Sequence, residues 1–371
     1  MPYNGRFWRI FRGWFAAVLL LLASPVAARP PAEQLALLQR GVSITGWFRY
    51  PGSRAPEALA GWMSDAAMAD LRAAGFTFVR LAVDPVVVAE PAARAVAVAA
   101  VCRLQRQGLA VVLDAHPVSW HLEDRPDERL RLIGFWRDMA PALRQCDPRR
   151  VFPELLNEPV FTGAPGSWAG LQQGLLRVVR AALPDSTIVL TGHDWGSIAG
   201  LQALAPEADP NVVYSVHFYD PPDLTSLAAW WPDLDRGALA RLPFPVDDPA
   251  LCQAMASPVA DAATAGFMRY YCASGWNAAA IGRRVEAAAS WARQHDAAVL
   301  VGEFGASNAL NEAARLAWLR TARVAFEAAG FGWSLWGYDD SMGFDVGRPP
   351  RRPVLDRNIM AALGLMPPSR K

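Results

Sequence analysis

Glu158 and Glu303 each close a short apolar run, the first within Glu154-Leu-Leu-Asn-Glu-Pro159 and the second within Gly302-Glu-Phe-Gly305. Ionisable groups at the ends of apolar runs are costly to bury without partners. Other runs end the same way: near Arg80, at His116, at Asn157 beside Glu158, in His217-Phe-Tyr219 and at Trp336. One polar terminus could arise by chance, but six together point to a site. Two carboxyls can cleave a glycosidic bond, one protonated to release the leaving group and one ionised to meet the anomeric carbon. Arg80 can keep the attacking carboxyl ionised, because a nearby positive charge lowers a carboxylate pKa. No CxxC or His-rich cluster suggests a metal, and no cofactor is expected.

The elements that must position these residues follow one repeated unit, an amphipathic helix, a Gly stop and a short apolar strand. It occurs at residues 71–80, 104–116 and 326–336, with Gly75, Gly108 and Gly330 as the stops. Glycine just past the last helical turn accepts the left-handed conformation that ends a helix. Strand-like runs occupy residues 41–48, 76–83, 109–116, 151–158, 187–192, 212–219, 298–304 and 331–338. Helical patterns fall between most of them, at 64–74, 127–145, 167–183, 281–295 and 311–329, with Ser64 as a cap and a weak helix at 197–207. Eightfold βα alternation predicts a closed (β/α)8 TIM barrel, one catalytic unit spanning residues 33–366. In such a barrel the strands' C-terminal ends share one face, which gathers the polar termini into a single site. An open doubly wound sheet is the structural rival, but no Gly-rich phosphate turn follows the first run.

Asn157-Glu158-Pro159 and Gly302-Glu303-Phe304-Gly305 resemble the two signatures of glycoside hydrolase family 5, the cellulase family, and the resemblance runs from about residue 41 to residue 366. Arg80, His116, Asn157, Glu158, His217, Tyr219, Glu303 and Trp336 fill that family's places in order. The resemblance implies Glu158 as acid/base and Glu303 as nucleophile, with Asn157 on the sugar 2-hydroxyl and Tyr219 hydrogen-bonded to the nucleophile. His116 and His217 would position the sugar and the acid/base, and Trp336 would floor the subsite of the sugar being cleaved. Pro117 stands where many relatives have a second His, and Gly337-Tyr-Asp-Asp340 follows Trp336; both departures bear on the substrate more than on the reaction.

The resulting expectation is hydrolysis of a β-linked glycan with retention, most simply a β-1,4-glucan. A β-mannan, an exopolysaccharide, or transglycosylation on the same residues are alternatives, as is a glycan-binding protein without catalysis. Trp47, Trp120 and Trp195 are candidate sugar platforms; Phe161, Trp230 and Trp231 follow strand ends too, while Trp136, Trp291 and Trp318 fall within helices and read as packing. Glu154 reads as a structural salt-bridge partner and Asp114 as a structural hydrogen bonder, while His193 and Asp194 are left open.

The chain of 371 residues is 53% hydrophobic and 19% charged, with formal net charge +1, which argues against disorder and gives no electrostatic footprint for nucleic acid. Residues 1–28 read as a signal peptide: Arg6, Arg9 and Arg12 precede an apolar stretch from Trp14 to Ala23, and cleavage is expected near Ala28. The stretch is shorter than the ~20 residues of a spanning helix, so a secreted or periplasmic protein without stable membrane insertion is expected. Cys102, Cys146, Cys252 and Cys272 make an even set, and pairing Cys102–Cys146 and Cys252–Cys272 would tie two helices and staple a long loop. The oligomeric state is not legible.

Overall fold

The computed structural model describes residues 29–347 and 354–366; the signal-peptide segment lies outside the described residues. Eight strands form a closed parallel barrel: β1 (Arg40–Phe48), β2 (Phe78–Val83), β3 (Ala110–Ala115), β4 (Val151–Glu154), β5 (Ile188–Thr191), β6 (Val212–Phe218), β7 (Ala298–Phe304) and β8 (Gly332–Leu335). Each pairs with the next, and β8 closes on β1. The (β/α)8 expectation therefore holds.

Period-two alternation along the strands splits the barrel interior into two layers. The lower layer is apolar, with Phe78, Ala110, Val112, Phe152, Val189, Val213, Ala298 and Leu300 packed together with Leu38. The helix Ala32–Leu37 closes this end, its Gln34 side chain bonding to the Asp185 carbonyl and to Thr187. Further up β1, β2, β3, β4, β6 and β8 the inward positions turn polar and remain buried: Ser43, Arg80, Asp114, Glu154, Ser215, Ser334. The apolar plug keeps water out from below, so the charges above it must satisfy one another.

The helices match the sequence pattern closely. Ser64 caps Asp65–Ala74 by accepting from the Ala67 N–H, and Gly75 ends it at φ 105°. The weak helix shrinks to Ile198–Gln202, and the long segment after β6 carries four helices the pattern did not reveal: Pro222–Thr225, Arg236–Leu239, Pro249–Ala254 and Ala262–Ser274. Tryptophans of the outer helices pin the upper rim. The Trp136, Trp168 and Trp318 indoles donate to the carbonyls of Leu155, Thr191 and Asp220, all just past or at strand ends.

Both disulfides form as paired in the sequence reading, Cys102–Cys146 and Cys252–Cys272. With 44 residues of separation, the first is expected to contribute roughly 4 kcal/mol through restriction of the unfolded chain. A Cys102→Ser/Cys146→Ser variant should lose about that much in urea unfolding, at an unchanged native fold. No helix among the described residues is long and apolar enough to cross a membrane.

Candidate active site

The strands end earlier than the apolar runs do. β3 stops at Ala115, β4 at Glu154, β6 at Phe218 and β8 at Leu335, so His116, Asn157, Glu158, Tyr219 and Trp336 lie on the rim just past them. The backbone still holds several of these in register. His116 donates to the Val83 carbonyl, Asn157 to that of Ala115 and Trp336 to that of Phe304, at 2.8, 2.9 and 2.8 Å. Glu158 adopts φ 42°, a left-handed conformation unusual for a side chain of its size and typical of strained functional positions.

Arg80 is the hub. Its guanidinium donates to Glu154 Oε2 at 2.6 Å and Oε1 at 2.9 Å, to Glu303 Oε1 at 2.5 Å and to Asn157 Oδ1 at 2.9 Å. Asp114 Oδ2 lies 3.0 Å from the same guanidinium. The planar fork of five N–H donors makes this sharing geometrically feasible. Glu154 and Asp114 are thus the structural partners their positions implied, although Glu154 shares the interior with Asn157 through Arg80.

Burial and charge pull the carboxyls apart. Burial raises Glu154 to about 7 and Asp114 to about 6 despite Arg80. It acts on Glu303 in the same direction, but the charges of His217 and Arg80 outweigh it and, with the Tyr219 hydroxyl, hold this carboxyl well below its ordinary range. Tyr219 Oη donates to Glu303 Oε2 at 2.9 Å. His217 Nδ1 lies 2.9 Å from Glu158 Oε1 and 3.4 Å from Glu303 Oε2. Burial opposes a charge on His217, yet the Glu303 and Glu158 carboxylates raise its pKa. His116 is driven the other way by burial and by Arg49, and its Nδ1 lies 2.6 Å from Asp114 Oδ2. Gly302 leaves room for Ser215 next to His217: a Cβ there would sit 2.2 Å from Ser215 Oγ.

Glu158, His217 and Glu303 place one donor atom each within 4.8 Å of one another, a spacing a metal ion could span. In this arrangement Arg80 already donates to Glu303 Oε1 and the Tyr219 hydroxyl to Oε2.

The structure brings all eight polar and aromatic residues named from the strand ends to one mouth. Glu303 is buried, while about a third of the Glu158 side chain remains exposed. Trp336 is largely buried and tilts against His116, ring centroids 5.5 Å apart. The candidate platforms divide. Trp195 is half exposed beside Glu158, and Trp120 lines the cleft with His116 and Asn157. Trp47 is no platform: it is fully buried, stacked on Phe48 and Trp62, with its indole donating to the Leu59 carbonyl. Phe161 is likewise buried against Trp168. Trp230, half exposed, joins Trp195, Tyr219 and Arg284 around a second cavity beside Glu158. Asp194 accepts from the Ser197 hydroxyl and so serves its own loop.

Two rim residues escaped sequence reading. Asp339 accepts from the Thr45 and Gly46 amides and ties the loop after β8 to β1. Arg49 follows β1 directly, and no motif marked it. The departure after Trp336 was the only signal near Asp339.

Paired carboxylates over the C-terminal mouth of a (β/α)8 barrel, one buried and charge-stabilised and one open to the cleft, are the arrangement of a glycoside hydrolase. The chain belongs to glycosyl hydrolase family 5, whose cellulase model matches residues 39–341. It is 26% identical over 212 residues to endoglucanase 3 of Fibrobacter succinogenes, covering 55% of this chain and 32% of that one. It therefore spans about a third of that relative's length. Endoglucanase C of Acetivibrio thermocellus is 24% identical over 269 residues, 69% of this chain and 76% of that one. Among solved structures, endoglucanase Cel5A of Thermotoga maritima superposes with TM-score 0.71 at 21% identity, over 90% of this chain and 99% of that one. That enzyme has also been solved with cellobiose and with mannotriose.

Proposed function

We propose that the protein is a retaining, endoglucanase-like hydrolase of β-linked glycans, with a β-1,4-glucan as its main substrate, Glu303 as nucleophile and Glu158 as acid/base. Carboxylate spacing carries this reading. The donor oxygens of Glu158 and Glu303 lie within 4.8 Å, near the ~5 Å separation of retaining enzymes and short of the ~6.5–9.5 Å that admits a water between the pair. The roles divide by environment. Glu303 is buried and held ionised by His217 and Arg80, as an attacking carboxylate requires, whereas Glu158 is reachable by a leaving oxygen and by water.

In the first step Glu303 attacks the anomeric carbon, the glycosidic bond breaks, and Glu158 gives its proton to the departing oxygen. In the second, Glu158 takes a proton from water, whose oxygen attacks the same carbon and releases Glu303. Arg80 and Tyr219 fix the nucleophile's two oxygens, and His217 bridges both carboxylates. Trp336 and Asn157 would hold the sugar being cleaved, and Trp195 with Trp230 the leaving sugar. The mannotriose complex of the Thermotoga relative makes β-mannan the second substrate to test. Two disulfides fit an exported protein, in keeping with the proposed leader at residues 1–28.

The test is proton NMR of the first products from cello- and manno-oligosaccharides. The β-anomer should appear first and mutarotate later. Initial release of the α-anomer, or no release from either series, would refute the assignment.

A further inference from the structure

We infer that Arg49 forms an anion-recognising subsite on the non-reducing side of the cleft, so that this enzyme prefers β-glucan chains carrying acidic substituents. The inference rests on the hydrolase reading above and names the substrate class within it.

Arg49 stands one residue past β1, where its amide donates to the Thr45 carbonyl at 3.2 Å. Its guanidinium lies 4.6 Å from the Tyr50 ring centre and 5.6 Å from that of Trp336. Two aromatic faces fix a flat cation in place, and arginine suits such stacking better than lysine. It lines the cleft beside His116, Trp120, Asn157 and Glu158. It does not border the cavity of Trp230, Tyr219 and Arg284, where a sugar leaving from Glu158 would sit. Facing Trp336, the proposed floor for the sugar being cleaved, Arg49 belongs with that sugar and the unit before it.

Its charge is not neutralised by contact. No ion pair to Arg49 occurs among the described residues, and its Nε is buried without a hydrogen-bond partner. The acids that feel its field are otherwise engaged. Asp84 accepts from the Val86 amide and also faces Arg54; Asp114 is shared by Arg80 and His116. On the cleft side Glu123 and Glu158 line the same pocket, but Glu123 faces His121 at 3.8 Å and Glu158 faces His217 at 2.9 Å, and neither forms an ion pair with Arg49 among the described residues.

A neutral sugar hydroxyl could be bound by a neutral side chain at less desolvation cost. A pre-positioned guanidinium without a counter-ion is matched by a ligand that brings one, because a carboxylate can take two parallel N–H bonds from it. The chemical class is therefore a β-glucan bearing carboxylate groups, through uronic acid residues or acidic ether or ester substituents.

The probes are carboxymethyl cellulose and hydroxyethyl cellulose, alike in backbone and unlike in charge. Binding by affinity electrophoresis and hydrolysis by reducing ends are measured for wild type and Arg49→Gln, with equal melting temperatures as the folding control. Wild type should bind and cleave the carboxymethylated polymer about tenfold better, and Arg49→Gln should erase that preference while keeping most activity on the neutral one. The preference should also shrink at high salt. Equal treatment of both polymers by wild type, or an equal loss on both in the variant, would overturn the subsite. Charge-selective, Arg49-dependent binding without cleavage of either polymer would leave the subsite standing and remove the hydrolase reading. Binding of neither polymer would remove both.

Discussion

Glu303→Gln should lower turnover of a soluble β-glucan by about 10⁴-fold or more, the scale seen when a nucleophile is removed from a covalent mechanism. An amide cannot form the glycosyl ester, and its –NH2 end must face either Arg80 or the Tyr219 hydroxyl, both donors to the native carboxylate. Glu158→Ala should behave differently because its proposed role is proton transfer, commonly worth about 10²–10⁴-fold. On an aryl glycoside whose phenol leaves without protonation, the first step should survive in Glu158→Ala and the second should stall for want of a base. Azide, which needs no base, should restore that variant and give a β-glycosyl azide. Glu303→Gln should show neither leaving-group dependence nor this product. Identical leaving-group dependence in the two variants, or wild-type-like turnover in Glu303→Gln, would exchange or abolish the roles.

Arg80→Met should have the largest effect on stability. It strips the partner from Glu154, Asp114 and Glu303 at once, and the side chains of all three carboxylates are at most 5% exposed. Removing one partner of a buried pair costs about 3–5 kcal/mol at neutral pH, because the charge left behind is uncompensated. The sign with pH follows from linkage. In wild type, Glu303 is depressed and contributes stability above the unfolded carboxylate range, while burial has already raised Glu154 to about 7 and Asp114 to about 6. Without Arg80 all three move up, so the folded variant binds protons that the unfolded chain has released. Its stability should fall as pH rises above about 4, and the deficit against wild type should be wide at pH 7 and narrow at pH 5. Urea midpoints at the two values measure this. A pH-independent deficit would mean that packing, not charge, sets the loss.

Much of the site was legible because barrel topology does the gathering. Once eight apolar runs alternate with helices, every run's polar terminus must come to one face, and Arg80, His116, Glu158, His217, Tyr219, Glu303 and Trp336 do so. Helix spans and the Ser64 cap were likewise written locally, within a dozen or so neighbouring residues. The segment after β6 was not, since its short helices lean on the rest of the fold and on the Cys252–Cys272 bridge more than on their own periodicity.

The sequence by itself determined the strand count and the face on which Glu158 and Glu303 come together. Tertiary structure alone decided what each charged or aromatic group can do there. Trp47 and Trp195 are the same residue type near strand ends, yet Phe48 and Trp62 seal the first into the core while the second stands half in solvent. Arg80 became a hub for three acids, and Arg49 a cation with no ion pair among the described residues, through distances between strands far apart in the chain. Local pattern sets backbone form, whereas burial and charge pairing depend on non-local neighbours, and those neighbours fix pKa and exposure.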